Sequence, residues 1–438
     1  MNFKWLVVFI GLSAAANAKA DGIYGNGVGA RSMAMGGADV AWASDPLGAM
    51  GVNPAGLGFL TRAELDLGGV GGFVSGTFDK SGVSHGNLDS SMVGLPEGAF
   101  AMPIAKTPVV LGISFVPESG QLANWHYQDP PGGLGGATSY GYQQNMSEIL
   151  ALRSAFGIGV QINPQWSVGA SVGGTYQQNR LTAPYTFQNL SPSPGANGAK
   201  TTLTLDTEGH GWNAMVGVIY KPTPNLQFGV SYESETQVTA NGAATGDPSL
   251  QFGAPQGTIP FHYDASVKTV LPQQVRFGAS WKVAPEWRLT GQIDWIDWKD
   301  AFNNLPLTFT HGNNPAVNGV IGANFHETFP LSWQSEFVYR TGVEFDPTEN
   351  LALRMGYSYG GSPVPNSTLT PTNAAILENT FTCGVGYHWK DYSIDFAYQY
   401  DLPETQNIGT SGLLGGQYSN SSIKVSAQTF ALTAGVKF

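Results

Sequence analysis

Long segments of this chain alternate strictly between apolar residues and polar or small residues. In a β-strand successive side chains point to opposite faces, so each such segment has one apolar face and one polar or small face. The clearest segments are residues 166–177, 226–233, 275–283, 351–359 and 392–400. This period of two predicts an all-β protein built from many similar strands.

Two environments produce this alternation, a soluble β-sandwich and a membrane-spanning β-barrel. The segments often reach about eleven residues, which is the length of a tilted strand that crosses a bilayer. Only 12% of the residues are charged, about half of the share typical of soluble domains. Aromatic residues collect at segment ends, where barrels carry interfacial girdles: Trp166, Trp281, Trp287, Trp295, Trp389 and Phe438. Together these features favour the membrane barrel.

Short turn signals between the segments predict the number of strands. Six of them lie at residues 106–108, 163–165, 221–225, 284–286, 346–349 and 390–391. Proline is excluded from the middle of a sheet ladder, so these turns join pairs of strands. A first strand near 62–78 and a last strand near 426–438 complete a 14-stranded antiparallel transmembrane β-barrel over residues 62–438. The longer stretches are predicted extracellular loops: 118–147, 181–208, 240–271, 300–332, 360–378 and 402–424.

Residues 1–20 have the features of a secretory signal peptide. Lys4 precedes an apolar core at 5–12 and a run of small residues, which predicts a mature chain that begins at Asp21. A retained membrane anchor is disfavoured because the core is short. Removal of the peptide leaves 18 basic and 31 acidic residues, an acidity that argues against a nucleic-acid partner. The single cysteine, Cys383, excludes an internal disulfide. We expect a Gram-negative outer-membrane protein with periplasmic termini.

Residues 21–61 lie between the signal peptide and the first strand. They are too short and too rich in Gly for a core of their own, yet they carry apolar side chains that need burial. A barrel lumen offers that burial, so we predict a small hatch, or plug, inside the barrel. A loose periplasmic tail is the alternative.

The residues of this segment resemble a known family. Gly29–Ala38, then Asp45-Pro46, then Asn53-Pro54-Ala55-Gly56 are similar to the N-terminal hatch of FadL/TodX-type outer-membrane transporters. The Asn-Pro-Ala triplet is that family's best-known mark. The resemblance implies passive uptake of long-chain fatty acids or aromatic and aliphatic hydrocarbons through a lumen pocket, a hatch rearrangement and lateral release. Hydrophobic small molecules, outer-membrane lipid and lipopolysaccharide are then the expected partners of a monomer.

The same resemblance implies which residues form the transport site. A kink in the third strand, which opens the wall, matches Pro117 and Gly120; the alternative is that Pro117 only starts a loop. Arg180 matches the position of a residue that pairs with a ligand carboxylate. In the fatty-acid branch of the family, a basic residue in the loop after strand nine helps to hold the ligand carboxylate. No Lys or Arg lies between Lys299 and Arg340 here, so the resemblance favours neutral hydrocarbons over fatty acids. Ligand capture is expected at apolar residues of the loops after strands three and five, where loop packing is the competing explanation: Leu122, Trp125, Tyr127, Leu134, Tyr185 and Phe187.

Two other functions are alternatives to a transporter of hydrophobic compounds. A general diffusion porin would have an open lumen and no need of a hatch. An outer-membrane lipid hydrolase would need a nucleophile and a histidine within hydrogen-bond reach, and the seven histidines are scattered without a recognisable motif. The sequence therefore predicts no catalytic residue, no metal site and no cofactor.

Overall fold

The computed structural model describes residues 22–90 and 92–438, so the predicted signal peptide and Asp21 lie outside it. Its barrel strands, with interrupted ones given as two ranges, are β1 (Glu64–Lys80), β2 (Ser84–Leu88 and Val93–Pro103), β3 (Val109–Gln128), β4 (Tyr142–Gln161), β5 (Trp166–Thr186), β6 (Lys200–Thr223), β7 (Leu226–Glu233 and Thr236–Asp247), β8 (Phe261–Leu271 and Gln274–Ala284), β9 (Trp287–Ile296 and Asn304–Thr310), β10 (Phe325–Pro330 and Glu336–Phe345), β11 (Leu351–Tyr359), β12 (Asn379–Trp389), β13 (Tyr392–Ile408) and β14 (Ser421–Lys437). A two-residue strand, Leu190–Ser191, pairs with the first part of β10.

These strands close into one antiparallel barrel. Each strand pairs with its neighbours along the chain, and β1 closes the ring by pairing with β14 from Glu64–Lys437 to Asp79–Ser422. The prediction of fourteen strands is confirmed. Four of the six predicted turns lie wholly between strands, whereas the first residues of 221–225 and 284–286 still belong to β6 and β8. The predicted loops are too long: β6, for example, begins at Lys200 inside the predicted loop 181–208. Polar residues such as Thr occupy both faces of β6 in this part, so the sequence shows no apolar–polar alternation although the strand continues.

The barrel wall is apolar outside and polar inside. Phe156, Trp212 and Met355 are among the most exposed large side chains and face outward. The inner face carries buried ion pairs, such as Arg354 with Glu344 at 2.7 Å. A soluble protein has the opposite arrangement, with apolar residues inside, whereas a barrel in lipid requires an apolar outer face. Among the residues that the structure describes, no helix combines the length and the apolar character that a membrane crossing needs.

Residues 22–61 lie inside the barrel. They form α1 (Gly29–Ala34), α2 (Pro46–Gly51) and a 3₁₀ turn at Pro54–Phe59. Asp45 begins α2 by accepting a hydrogen bond from the Gly48 amide at 2.7 Å, which satisfies one of the free N–H groups at the helix start. Apolar side chains of the segment pack against the walls of β2 to β4. Of the remaining helices, α3 (Trp298–Ala301) interrupts β9, and its buried Trp298 packs against Tyr24 of the lumen segment. The helix α4 (Pro315–Ile321) lies in the connection between β9 and β10.

Glycines of the inner wall allow this segment to lie directly against the strands. A Cβ built on Gly229 would lie 2.2 Å from the carbonyl oxygen of Val40, whereas one built on Gly291 meets nothing within 4 Å. We therefore expect Gly229→Val to displace the lumen segment, because overpacking costs about 1–3 kcal/mol and the obstacle is backbone. Its thermal unfolding temperature should fall, and ion conductance of the barrel should rise.

Gly291→Val is the matched control on the outer face, and we expect it to leave both measurements unchanged. Equal behaviour of the two variants would contradict the packing described for Val40.

Candidate functional site

A bulge in β3 opens the barrel wall. Opposite β4, Pro117 pairs with Leu152 and Ser119 pairs with Ala151, which leaves Glu118 as an extra residue. On the other side, the ladder between β2 and β3 stops after Phe115 and resumes near Trp125. Proline donates no hydrogen bond to a ladder, and a bulge turns a strand away from its partner. Among the described residues, no ladder pair joins β2 to β3 along residues 116–123, and this interval is the gap in the wall.

The start of the lumen segment reaches this gap from the inside. The Gly120 amide donates to the carbonyl oxygen of Ile23 at 3.1 Å, and Tyr24 forms a bridge with Ser119. The extra residue Glu118 points into the lumen, where its carboxylate accepts hydrogen bonds from Thr175, at 2.5 Å, and from two other side chains. The bulge is therefore held in place by contacts on its inner side.

Two cavities lie next to the gap. The gap cavity, of about 250 Å³, opens at the break in the wall, and its lining includes Phe73, Leu95, Leu122 and Ile149. The hatch cavity, of about 300 Å³, lies between the lumen segment and the wall, and Glu97, Glu118, Glu378 and Asp401 contribute acidic groups to its lining. Neither lining contains a Lys or Arg among the described residues.

A third cavity lies towards the other end of the barrel, beneath the long loops between the strands. This upper cavity has a volume of about 160 Å³. Its walls are mainly apolar and come from the upper parts of seven strands, β3 to β6 and β8 to β10, and from loops. The apolar lining includes Leu181, Tyr185, Leu205, Leu307, Phe329 and Leu413. Such a lining binds apolar molecules because it removes their surface from water.

The loops above the upper cavity are fixed by buried polar contacts. The ammonium group of Lys200 is fully buried and donates to Asp129 at 2.7 Å and to the Pro130 carbonyl at 2.8 Å. Burial raises the pKa of the Asp129 carboxyl, against the opposing effect of the Lys200 charge. Glu327 accepts from the Gln188 amide at 2.7 Å and from the Tyr185 hydroxyl at 3.1 Å. These contacts give the upper cavity a defined roof.

The structure separates the residues predicted for ligand capture into three environments. Tyr185 lines the upper cavity and Leu122 lines the gap cavity. Trp125 and Tyr127 are fully buried in the lumen, and Phe187 packs edge-on against Phe325 at 6.0 Å. Leu134 is exposed at a loop tip. Pro117 and Gly120 both lie at the gap in the wall.

Arg180 lies in β5 beside the upper cavity. It belongs to the outward-facing positions of the strand, since the buried, inward-facing positions in this part of β5 are odd-numbered, such as Gln177 and Asn179. Its guanidinium is partly exposed and approaches Glu148 at 3.7 Å and Asp206 at 3.6 Å. Both distances are longer than ordinary hydrogen bonds, and exposed ion pairs of this kind contribute little to stability. The guanidinium is therefore near two carboxylates that hold it only weakly.

The Asn-Pro-Ala triplet holds the lumen segment against the wall. Asn53 is fully buried, and its amide nitrogen donates to the Val40 carbonyl at 2.7 Å. The same nitrogen lies 3.4 Å from the carbonyl oxygens of Val218 and Val230 in β6 and β7. Its side-chain oxygen accepts from the Ala55 amide at 3.1 Å. Pro54 and Gly56 belong to the 3₁₀ turn that follows.

Sequence reasoning missed the residues that separate the upper cavity from the gap cavity. Gln121 and Ile149 line both cavities, and they face each other across β3 and β4. It also missed Arg340, which binds the lumen segment through Asn26 and Gly36. Only the strand register and the position of the bulge bring these residues together. Among the described residues, no group of three His, Cys, Asp or Glu side chains could hold a metal ion.

The profile of a family described as "Outer membrane protein transport protein (OMPP1/FadL/TodX)" matches residues 11–438. The long-chain fatty acid transport protein of Escherichia coli K12 is 22% identical over 291 residues, which cover 61% of this chain and 62% of that protein. The chain thus spans about 62% of the length of the curated relatives it matches first.

Solved structures share the fold. The toluene transporter TodX of Pseudomonas putida is 20% identical, with a TM-score of 0.76 over 94% of this chain and 99% of that chain. A FadL homologue of Pseudomonas aeruginosa is 16% identical, with a TM-score of 0.75 over 95% of this chain and 100% of that chain.

Proposed function

The chain belongs to the OMPP1/FadL/TodX family of outer membrane transport proteins, and from this premise we propose that it takes up hydrophobic small molecules by passive diffusion. The ligand binds in the upper cavity, moves to the gap cavity and leaves sideways through the wall between β2 and β3. Both termini face the periplasm, and the protein acts as a monomer surrounded by outer-membrane lipid and lipopolysaccharide.

One observation carries this proposal: an apolar cavity beneath the loops adjoins a gap in the barrel wall. A molecule that avoids water gains free energy on entering such a cavity, at about 25 cal/mol per Å² of buried apolar surface. The hydrocarbon of the membrane beyond the gap is equally favourable to it. A lateral path therefore never requires the ligand to enter water.

Residues 22–61 act as the hatch in this proposal. They are held in the lumen by the contacts of Asn53 with β6 and β7 and of Arg340 with Asn26, so an aqueous path along the barrel axis is obstructed. A general diffusion porin needs that path to be open. The packed lumen segment therefore supports a transporter of hydrophobic compounds rather than a porin.

Neutral hydrocarbons fit the cavities best. Arg180 is the one basic residue among the described residues that line the upper cavity, and the gap and hatch cavities have none. Relatives are named for long-chain fatty acids and for toluene, so both ligand classes are candidates. We propose aromatic or aliphatic hydrocarbons first and fatty acids second.

Binding to the purified protein tests this assignment. Labelled toluene and labelled oleate are measured in equilibrium with the detergent-solubilised barrel. We expect saturable toluene binding that an excess of unlabelled toluene displaces. Toluene that partitions no better than into detergent alone would contradict the proposal.

Substitution of Arg180 tests how a fatty acid would be held. Because Arg180 belongs to the outward-facing positions of β5, we expect Arg180→Ala to leave oleate and toluene binding within about twofold. A loss of about tenfold for oleate alone would show that the guanidinium binds the carboxylate, since a charge-assisted hydrogen bond contributes about 1.5–3 kcal/mol. Arg180→Lys keeps the charge and is the matched control. An equal loss for both ligands would show that Arg180 supports the cavity rather than binding a carboxylate.

A further inference from the structure

The upper cavity and the gap cavity are separated by a thin partition. Gln121 and Ile149 belong to the linings of both cavities. They are direct partners in the ladder between β3 and β4. Downstream of the bulge the odd-numbered residues of β3 face the lumen, as the burial of Ala123 and Trp125 shows. Gln121 therefore points inward at the place where a ligand would pass from one cavity to the other.

The Gln121 side chain is tied to the opposite side of the passage. Its amide nitrogen donates to the carbonyl oxygen of Thr372 at 2.8 Å. Thr372 lies in the 3₁₀ turn Pro371–Asn373 of the loop between β11 and β12, and this turn also lines the upper cavity. The contact thus joins two parts of the chain that are 251 residues apart.

The turn that receives this hydrogen bond is itself well fixed. The Asn373 side chain accepts from the Thr370 amide at 2.7 Å and donates to the Thr368 carbonyl at 3.0 Å. Thr370 and Asn373 together form a capping box, an arrangement that satisfies the free groups at the start of a turn. The acceptor is therefore held rigidly, and the movable partner of the pair is the long side chain of Gln121.

We propose that Gln121 is the gate between the upper cavity and the gap cavity. With its amide bonded to Thr372, the side chain bars the passage; with the bond broken, it swings aside and the ligand moves over Ile149 to the gap. This inference rests on the proposed function, and it adds the residue that determines the rate of passage. An apolar ligand offers no replacement for the lost hydrogen bond, so the gate recloses once the ligand has passed.

A gate of this kind also selects among ligands. A compact or linear hydrocarbon passes while one side chain is displaced. A solute rich in hydrogen-bonding groups would have to lose its water at the partition without new partners for every group, which is unfavourable. The partition therefore favours apolar molecules of small cross-section.

Two substitutions with opposite effects test the gate. Gln121→Ala removes both the hydrogen bond and the obstacle, so we expect toluene to dissociate from the purified protein, and to enter cells, about threefold to tenfold faster. Gln121→Trp fills the partition, and we expect both rates to fall about tenfold or more. Equilibrium binding of toluene in the upper cavity should change by a much smaller factor than the rates in each variant, since Gln121 is one of many residues that line that cavity and a gate acts on the barrier.

Gln144 offers the matched controls. It lies on the exposed outer face of β4, where its side chain bonds to Asn124 at 2.9 Å. Gln144→Ala and Gln144→Trp should leave both rates at the wild-type value. If Gln121 only stabilised the fold, both Gln121 variants would have a lower thermal unfolding temperature. The rates of toluene dissociation and entry would then change in the same direction in Gln121→Ala and in Gln121→Trp.

The outcomes separate the gate from the proposed function. Wild-type rates in both Gln121 variants, or changes that parallel a loss of binding, overturn the gate and leave the function standing. If wild-type protein binds toluene but cells show no uptake, the proposed function fails, and the dissociation rates from purified protein still decide the gate. Absence of toluene binding overturns both.

Discussion

Removal of the bulge in β3 is expected to lower toluene uptake about tenfold or more, since an added barrier of about 1.4 kcal/mol slows a process tenfold. The variant combines deletion of Glu118 with Pro117→Val. In the wild-type protein Pro117 pairs with Leu152 and Ser119 pairs with Ala151, which leaves Glu118 without a partner position in β4. Deletion of Glu118 therefore restores a continuous register with β4. Valine supplies the N–H group that proline lacks, so β3 can continue its ladder with β2 and close the gap.

Glu118→Gln is the control for this experiment. It keeps the extra residue and the acceptor oxygen for Thr175, so the bulge should persist and uptake should stay close to wild type. Heat-modifiable electrophoretic mobility reports whether each barrel has folded. A folded, bulge-free barrel that takes up toluene at the wild-type rate would rule out the lateral path.

Loss of Arg340 is expected to loosen the hatch. Its guanidinium lies 2.6 Å from the Asp294 carboxylate of β9 and binds Asn26 and the Gly36 carbonyl of the lumen segment. Arg340→Ala leaves Asp294 buried without this partner, and breaking a buried pair costs about 3–5 kcal/mol. We expect a lower thermal unfolding temperature and larger, noisier single-channel conductance than the wild-type barrel shows.

Arg62→Ala is the matched control for the loss of an arginine. Arg62 pairs with Asp391 at 2.6 Å, but both side chains are about half exposed, and such surface pairs contribute at most about 1 kcal/mol. We expect this variant to conduct as the wild type does. A conductance of Arg340→Ala equal to that of Arg62→Ala would show that the lumen segment is held by other contacts.

The barrel could be predicted from sequence because its constraints are local. Alternation such as Tyr392–Tyr400 follows from the two environments on either side of a strand, and a turn such as Asp346–Glu349 carries its own signal in Pro347. Strand ends were less predictable. Beyond the membrane the outer face is in contact with water, so polar residues lie on both faces of the upper strands, such as the exposed Thr204 and the buried Thr207 of β6, and the apolar–polar contrast disappears.

The candidate site was predictable only where one residue carries its own signal. Pro117 cannot donate a backbone hydrogen bond to a ladder, and it lies at the gap. Gln121 is an unremarkable glutamine in sequence, and it matters because the bulge reverses which face of β3 points inward. Arg340 and Asp294 likewise meet the lumen segment through the pairing of β9 with β10. Such juxtapositions depend on register, which a single sequence does not encode locally.

Uptake of labelled toluene by living cells tests the central claim most directly. The host lacks a hydrophobic channel of its own and expresses this protein, the bulge-free variant or no barrel, at matched amounts of folded protein. The account predicts rapid, saturable uptake with the wild-type protein and near-background uptake with the bulge-free variant. Wild-type cells that take up toluene no faster than the empty host, with the barrel folded in the outer membrane, would contradict it.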